Sequence, residues 1–176
     1  MVIFTFIAYP VLTLAERIPQ YGSIFSERNK GEVKMSLLLL SLMVIVLITV
    51  FWGLLGPGWK YIITVAVMVW GLGDAAAALV GKAFGRHFIE HRMIEGKKTV
   101  EGTLAMFTLS SLAVFVTTLV YKIAPWYLCL VIALLVAAVC TVVELFSLRG
   151  SDTITVPLSA AVSTFIIVSV ISYLGG

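Results

Sequence analysis

Charge is what this sequence has least of. Only 12% of its 176 residues are Asp, Glu, Lys or Arg, while 61% are apolar and the mean hydropathy is +1.11. A soluble domain of this size needs about a quarter charged residues to stay solvated, so the composition excludes a soluble globular protein and requires an integral membrane one. Cysteine is scarce as well. Cys129 and Cys140 share one apolar stretch. In a helix they would stand about 16 Å apart, too far for a bridge, and both read as inert buried thiols. Histidine is limited to His87 and His91; four apart, they would share a helical face, but no third ligand for zinc accompanies them. The apolar residues 1–15 have neither a basic n-region nor a clear small-residue cleavage site, so they read as a first span rather than a signal peptide. There is no internal repeat, no low-complexity linker and no length left for a separate soluble domain.

What is present in abundance is long apolar runs, at about 1–15, 36–55, 59–81, 103–121, 125–147 and 156–174, uncharged except for Lys60, Asp74 and Glu144. The expected fold is therefore all-α, a polytopic membrane helix bundle of about six transmembrane helices. Long charged connections at 16–35, 82–102 and 148–155 alternate with the tight turns Gly56-Pro57-Gly58 and Lys122-Ile123-Ala124. Ten of the twelve Lys and Arg residues lie in or beside the long set, which assigns those loops to the cytoplasm. Trp52, Trp59, Tyr61, Tyr121, Trp126 and Tyr127 gather at the opposite boundary, where amphipathic rings settle. The net charge of +3 and pI near 9.0 follow from this topology and do not point to nucleic acid.

An ionised carboxylate inside a bilayer costs at least about 2.5 kcal/mol, so Asp74 and Glu144 each require a partner, a proton or a metal. Both fall in the cytoplasmic half of their spans, and Asp152 follows in the last cytoplasmic loop, so three acids can converge where lipid headgroups meet cytosolic solutes. The second cytoplasmic loop is basic. Thr99 is placed to cap the fourth span, aiming helix N–H groups at an anion beside Lys97 and Lys98. Gly81 and Gly85 would let the backbone bend, a neighbouring helix approach or a phosphate come close, and Arg86 offers a bidentate clamp. Glu101 sits in the first turn of that helix, where the macrodipole favours a carboxylate. The acids alone would also suit a proton-coupled transporter.

Three stretches carry a resemblance: Gly71-Leu72-Gly73-Asp74-Ala75, the Gly81-x-x-x-Gly85 pair, and Lys97-Lys98-Thr99-Val100-Glu101-Gly102. Together they resemble the polyprenol kinase family, that is, the dolichol kinases, phytol kinases and CTP-dependent diacylglycerol kinases, which are related to the CDP-diacylglycerol synthases. Val143-Glu144-Leu145-Phe146-Ser147 with Asp152-Thr153-Ile154-Thr155-Val156-Pro157 is similar to the kinases' closing motif, with Thr153 where that motif carries Asn, and Arg28, Gly31 and Glu32 are similar to an early Arg and Gly-Glu element. The synthases' own closing signature, a Lys-Asp pair, a His-Gly-Gly turn and Asp-Arg-x-Asp, is absent, which favours a kinase over a cytidylyltransferase. The family pattern also carries one more N-terminal span.

The resemblance implies a single transmembrane lipid-alcohol kinase domain over 1–176. It would transfer phosphate from a nucleoside triphosphate to a polyprenol, dolichol, phytol or diacylglycerol; the residues themselves say only nucleoside triphosphate, and the family supplies CTP. Asp74, Glu144 and Asp152 are the expected Mg²⁺ ligands. Gly81, Gly85, Arg86, Lys97, Lys98 and Thr99 are the expected nucleotide site, and Asp74, Lys98 and Glu101 the expected catalytic group. A homodimer is compatible with this reading. The alternatives are a cytidylyltransferase acting on a phosphorylated lipid and the transporter.

Overall fold

The structure is a computed structural model that describes residues 32–89, 98–147 and 151–175. Helix α1 (Glu32–Leu47) runs on as a wider π-helical segment, Ile48–Leu54. After the Gly-Pro-Gly turn, Pro57 opens a single 3₁₀ turn, Pro57–Trp59, where its missing N–H removes nothing from the helix. Helix α2 (Tyr61–Met68), a second π-helical segment (Val69–Asp74) and α3 (Ala75–Phe84) then form one rod. Helix α4 (Val100–Val120) begins at Thr99, whose backbone is extended and whose Oγ1 accepts the Gly102 N–H at 3.2 Å, the expected cap. Helix α5 (Trp126–Phe146) follows Pro125, and α6 (Asp152–Gly175) completes the bundle.

Among the described residues, four helices are long and apolar enough to cross a membrane: Pro57–Phe84, Val100–Val120, Trp126–Phe146 and Asp152–Tyr173. The apolar part of the helix before them, Leu38–Leu54, is shorter, and the expected span at 1–15 lies outside the described residues. Against the sequence count of six, the described residues hold four full-length spans and one shorter helix. Several boundaries differ from the hydropathy reading, because hydrogen bonding carries helices beyond their apolar stretch: the helices expected from 36 and 103 begin at Glu32 and Val100. The third expected span continues to Phe84, and the last begins at Asp152, which moves that acid from the loop into the first turn of α6.

Helix α4 packs against α2, the Val69–Asp74 segment, α3 and α5, while α6 packs against α1, α2 and α5. The core between them is fully apolar at Leu47, Ile62, Val65, Val69, Met106, Val114, Ile132, Val136 and Val156. Leu79, Leu104, Val120 and Trp126 face outward, as expected where the surroundings are hydrocarbon and association rests on close packing rather than on hiding apolar surface. Buried hydroxyls turn back on their own helices: Thr117, Thr118 and Ser163 donate to the carbonyls of Ala113, Val114 and Ser159. At the end away from the Thr99 loop, Trp59, Tyr61 and Tyr121 meet in ring contact, as expected for the aromatic cluster, although Tyr61 is buried and Trp59 also packs on Phe165. Cys129 and Cys140 are free and buried.

Helix α3 makes a close contact with the start of α4. A Cβ on Gly102 would lie 2.8 Å from the Ala77 carbonyl oxygen and 3.3 Å from the Gly81 Cα, and one on Gly81 would lie 3.0 Å from Thr99 Oγ1. The two helices therefore touch backbone to backbone. Gly102→Ala should force them apart and cost about 1–3 kcal/mol, read as a lower unfolding temperature in detergent. Gly71→Ala, whose Cβ would meet nothing within 4 Å, should unfold at or above the wild-type temperature; equal losses in both variants would show that the crossing is not tight.

Candidate functional site

Asp74 is placed by a local irregularity. It ends the π-helical Val69–Asp74 segment, and such segments, which widen one turn of a helix, recur at functional positions. The preceding Gly73 is buried against α4: its Cβ would stand 2.5 Å from Ser110 Oγ and 3.4 Å from Met106 Cγ. Ser110 is itself fully buried, and its hydroxyl has no partner among the described residues. The side chain after this contact, the half-buried Asp74 carboxylate, lies within Coulombic range of Asp152, Glu144 and Lys98. Among the described residues none hydrogen-bonds to it.

Lys98 closes the group from the loop side. Its ammonium donates to Glu144 Oε1 at 2.5 Å and also to the Glu144 carbonyl oxygen. That carbonyl, which also accepts the Ser147 N–H at 3.2 Å, belongs to the last turn of α5, where the macrodipole favours a cation. The pair is mostly enclosed, with side-chain exposures of 19% for Lys98 and 9% for Glu144. Ser147 and Thr155, hydroxyl to hydroxyl at 2.7 Å, tie the end of α5 to the first turn of α6, where Asp152 Oδ1 accepts the Thr153 N–H at 2.9 Å.

The flanks of the basic loop are paired across its base. Ile89 N–H donates to the Lys98 carbonyl and Val100 N–H to the His87 carbonyl, at 2.9 and 3.0 Å. Glu101 reinforces the join: its Oε1 meets His87 Nδ1 at 2.7 Å, and the His87 amide lies 3.3 and 3.4 Å from its two carboxylate oxygens. Glu101 thus organises the loop base. Val100 and Gly102 N–H groups at the start of α4 are engaged by His87 and Thr99, so the charge available to an anion there is chiefly that of lysine. Thr99 is buried and serves as the cap, while Gly81 and Gly85 pack against Thr99 and, for Gly81, Gly102.

Of the sequence-derived candidates, Lys98 and Glu144 are in contact, and Asp74 stands within Coulombic range of both and of Asp152. Gly81, Gly85, Thr99 and Glu101 build the frame beside them, and Arg86 is exposed on the loop. Lys97 and His91 lie outside the described residues, as do Arg28 and Gly31. Among the described residues, no three His, Cys, Asp or Glu side chains converge into a ready-made metal cage. Hydropathy and motif reasoning missed the Lys98–Glu144 pairing, the Ser147–Thr155 link and the Ser110–Gly73 contact, all of them long-range or dependent on helix rotation. The His87–Glu101 join yields a direct test: Glu101→Ala should speed hydrogen exchange at the His87 and Val100 amides by about tenfold, the effect of losing one charge-assisted contact. Unchanged exchange would mean that this pair does not hold the loop.

No family model matches the chain, and no solved structure does. Among curated proteins, a phytol kinase from Synechocystis sp. is 41% identical over 99 residues, an alignment covering 56% of this chain and 40% of the relative. The chain therefore matches less than half the length of that relative. Identity at this level over so many residues reflects common descent, and it falls on the same group of proteins that the Asp74, Lys98 and Asp152 motifs resemble. Over 99 residues, more than half its length, the chain is a homologue of that phytol kinase.

Proposed function

We propose that the protein is a Mg²⁺-dependent kinase that transfers the γ-phosphoryl group of a nucleoside triphosphate, CTP in the first instance, to the hydroxyl of a membrane lipid alcohol. The observation that carries this reading is the Lys98–Glu144 ion pair with Asp74 in Coulombic range of both and of Asp152, at the end of the bundle where the basic loop closes. Phosphoryl transfer asks a protein mainly to position its reactants and to balance charge, and this group supplies carboxylate oxygens and an ammonium side by side.

The donor set suits a hard cation. Mg²⁺ is commonly held by one or two carboxylates together with substrate phosphates and water, so the lack of a three-ligand cage among the described residues fits this manner of binding. Asp74, with no hydrogen-bond partner among the described residues, and Asp152 would hold it. Bound there, the ion would neutralise charge on the triphosphate. Lys98 would bind a phosphate oxygen through its remaining N–H, and exposed Arg86 would reach the same chain. Glu101 and Thr99 keep the loop base and the start of α4 in register. The acceptor's apolar chain would stay among lipid tails while its hydroxyl meets the nucleotide at the interface. The phytol kinase relative supports a long isoprenoid alcohol, with polyprenol, dolichol and diacylglycerol the other members of the class. We place the basic loops on the cytoplasmic face, where the nucleotide is.

Purified protein given CTP labelled at the γ phosphorus and a panel of lipid alcohols should transfer label to lipid. Label entering only from the α position would replace the kinase reading with a cytidylyltransferase, and transfer from neither would leave a transporter or scaffold. Asp74→Asn should reduce turnover by at least about 10²-fold while the chain remains inserted with its unfolding temperature within a few degrees. Near-normal turnover in that variant would remove Asp74 from the centre.

A further inference from the structure

We propose that Glu144 is a positioning residue that holds Lys98 for the nucleotide, and that it does not ligand the metal. This rests on the kinase reading and reassigns a single acid within it. Glu144 Oε1 is already engaged by the Lys98 ammonium at 2.5 Å, and the same ammonium donates to the Glu144 carbonyl oxygen. Two acceptors from the same residue fix the direction of a side chain that otherwise has four rotatable bonds. A lysine ammonium has three N–H donors, so one is left for an anion. Enclosure makes the arrangement hard to rearrange, because drawing the Glu144 carboxylate away to a metal would strand a cation that is 19% exposed beside a carboxylate that is 9% exposed. Leaving one member of such a pair without the other is far costlier than keeping both.

The position of the pair points the same way. Lys98 directly precedes the cap of α4, while Glu144 belongs to the last turn of α5. The ion pair therefore joins the basic loop to the far side of the site and brings the ammonium within Coulombic range of Asp74. Val100 and Gly102 N–H groups at the start of α4 are bonded within the protein. Among the described residues an anion at this helix start therefore meets the Lys98 ammonium, and the direction of that side chain bears on how well it binds.

The test is equilibrium binding of labelled CTP to the full-length protein in detergent, in wild type, Glu144→Ala, Glu144→Gln, Lys98→Met and the Glu144→Ala/Lys98→Met double variant, each across a Mg²⁺ titration. Glu144→Ala should weaken nucleotide binding about tenfold at saturating Mg²⁺, the scale of one charge-assisted contact, with the Mg²⁺ midpoint unchanged. The double variant should bind no more weakly than Lys98→Met alone, because both changes remove the same contact. Glu144→Gln keeps an acceptor oxygen for the ammonium and should lose no more than about threefold, again with the Mg²⁺ midpoint unmoved. A midpoint raised severalfold in Glu144→Gln or Glu144→Ala, or losses that add in the double variant, would overturn the proposal and make Glu144 a metal ligand. Wild-type protein that binds no nucleotide at any Mg²⁺ concentration would overturn the kinase reading itself, an outcome distinct from a wild type that binds while Glu144→Ala shifts only its metal dependence.

Discussion

The Lys98–Glu144 ion pair is the contact on which the rest of the site depends. Two charges taken into a low-dielectric bundle must answer each other, since either alone would be driven out or neutralised. By joining the start of α4 to the end of α5, the pair also fixes where the loop base sits relative to Asp74 and Asp152. One lysine and three carboxylates leave a local surplus of negative charge. That surplus is what a divalent cation would balance, and the cation in turn would admit a polyanionic nucleotide to a place that is otherwise hostile to it.

The scaffold makes this arrangement specific through close backbone packing. Helix α3 lies against α4 at Gly81 and Gly102, and the Val69–Asp74 segment lies against it at Gly73 and Ser110. Both contacts flank Asp74 along the chain, so the height and rotation of its carboxylate are set by α4, the same helix whose N-terminal flank supplies Lys98. Glu101 and the paired stretches of chain at the loop base hold that flank in turn. A shift of α4 would therefore move the acid and the base together, which keeps their spacing while the lipid-facing sides of the helices adapt to their surroundings.

Much of this could be read from the sequence because the membrane imposes a simple rule on hydropathy. The four long spans follow from uninterrupted apolar runs, and Asp74 and Glu144 stand out because ionised groups are rare in such runs. The Thr99 cap was legible as well, since a threonine ahead of an apolar helix has a short-range role. Contacts between distant segments were not legible. Lys98 and Glu144 are 46 residues apart, and His87 and Glu101 are 14 apart across a loop; no periodicity encodes either meeting. The π-helical turn before Asp74 leaves no mark on hydropathy, and the helical start of Asp152 was hidden because a polar first turn looks like loop. For the same reason Thr99 and the two glycines beside it read equally well as phosphate contacts and as packing until their neighbours were placed.

The central claim is that Asp74 and its neighbours take up a divalent cation together with a nucleotide. Electron paramagnetic resonance of Mn²⁺, used in place of Mg²⁺, measures this directly, because free and protein-bound Mn²⁺ give distinct signals. The account predicts that adding CTP moves one Mn²⁺ per chain into a protein-bound signal in the wild type, and that this signal is lost in Asp74→Asn. Equal Mn²⁺ uptake by both proteins, or none by the wild type with CTP present, would contradict it.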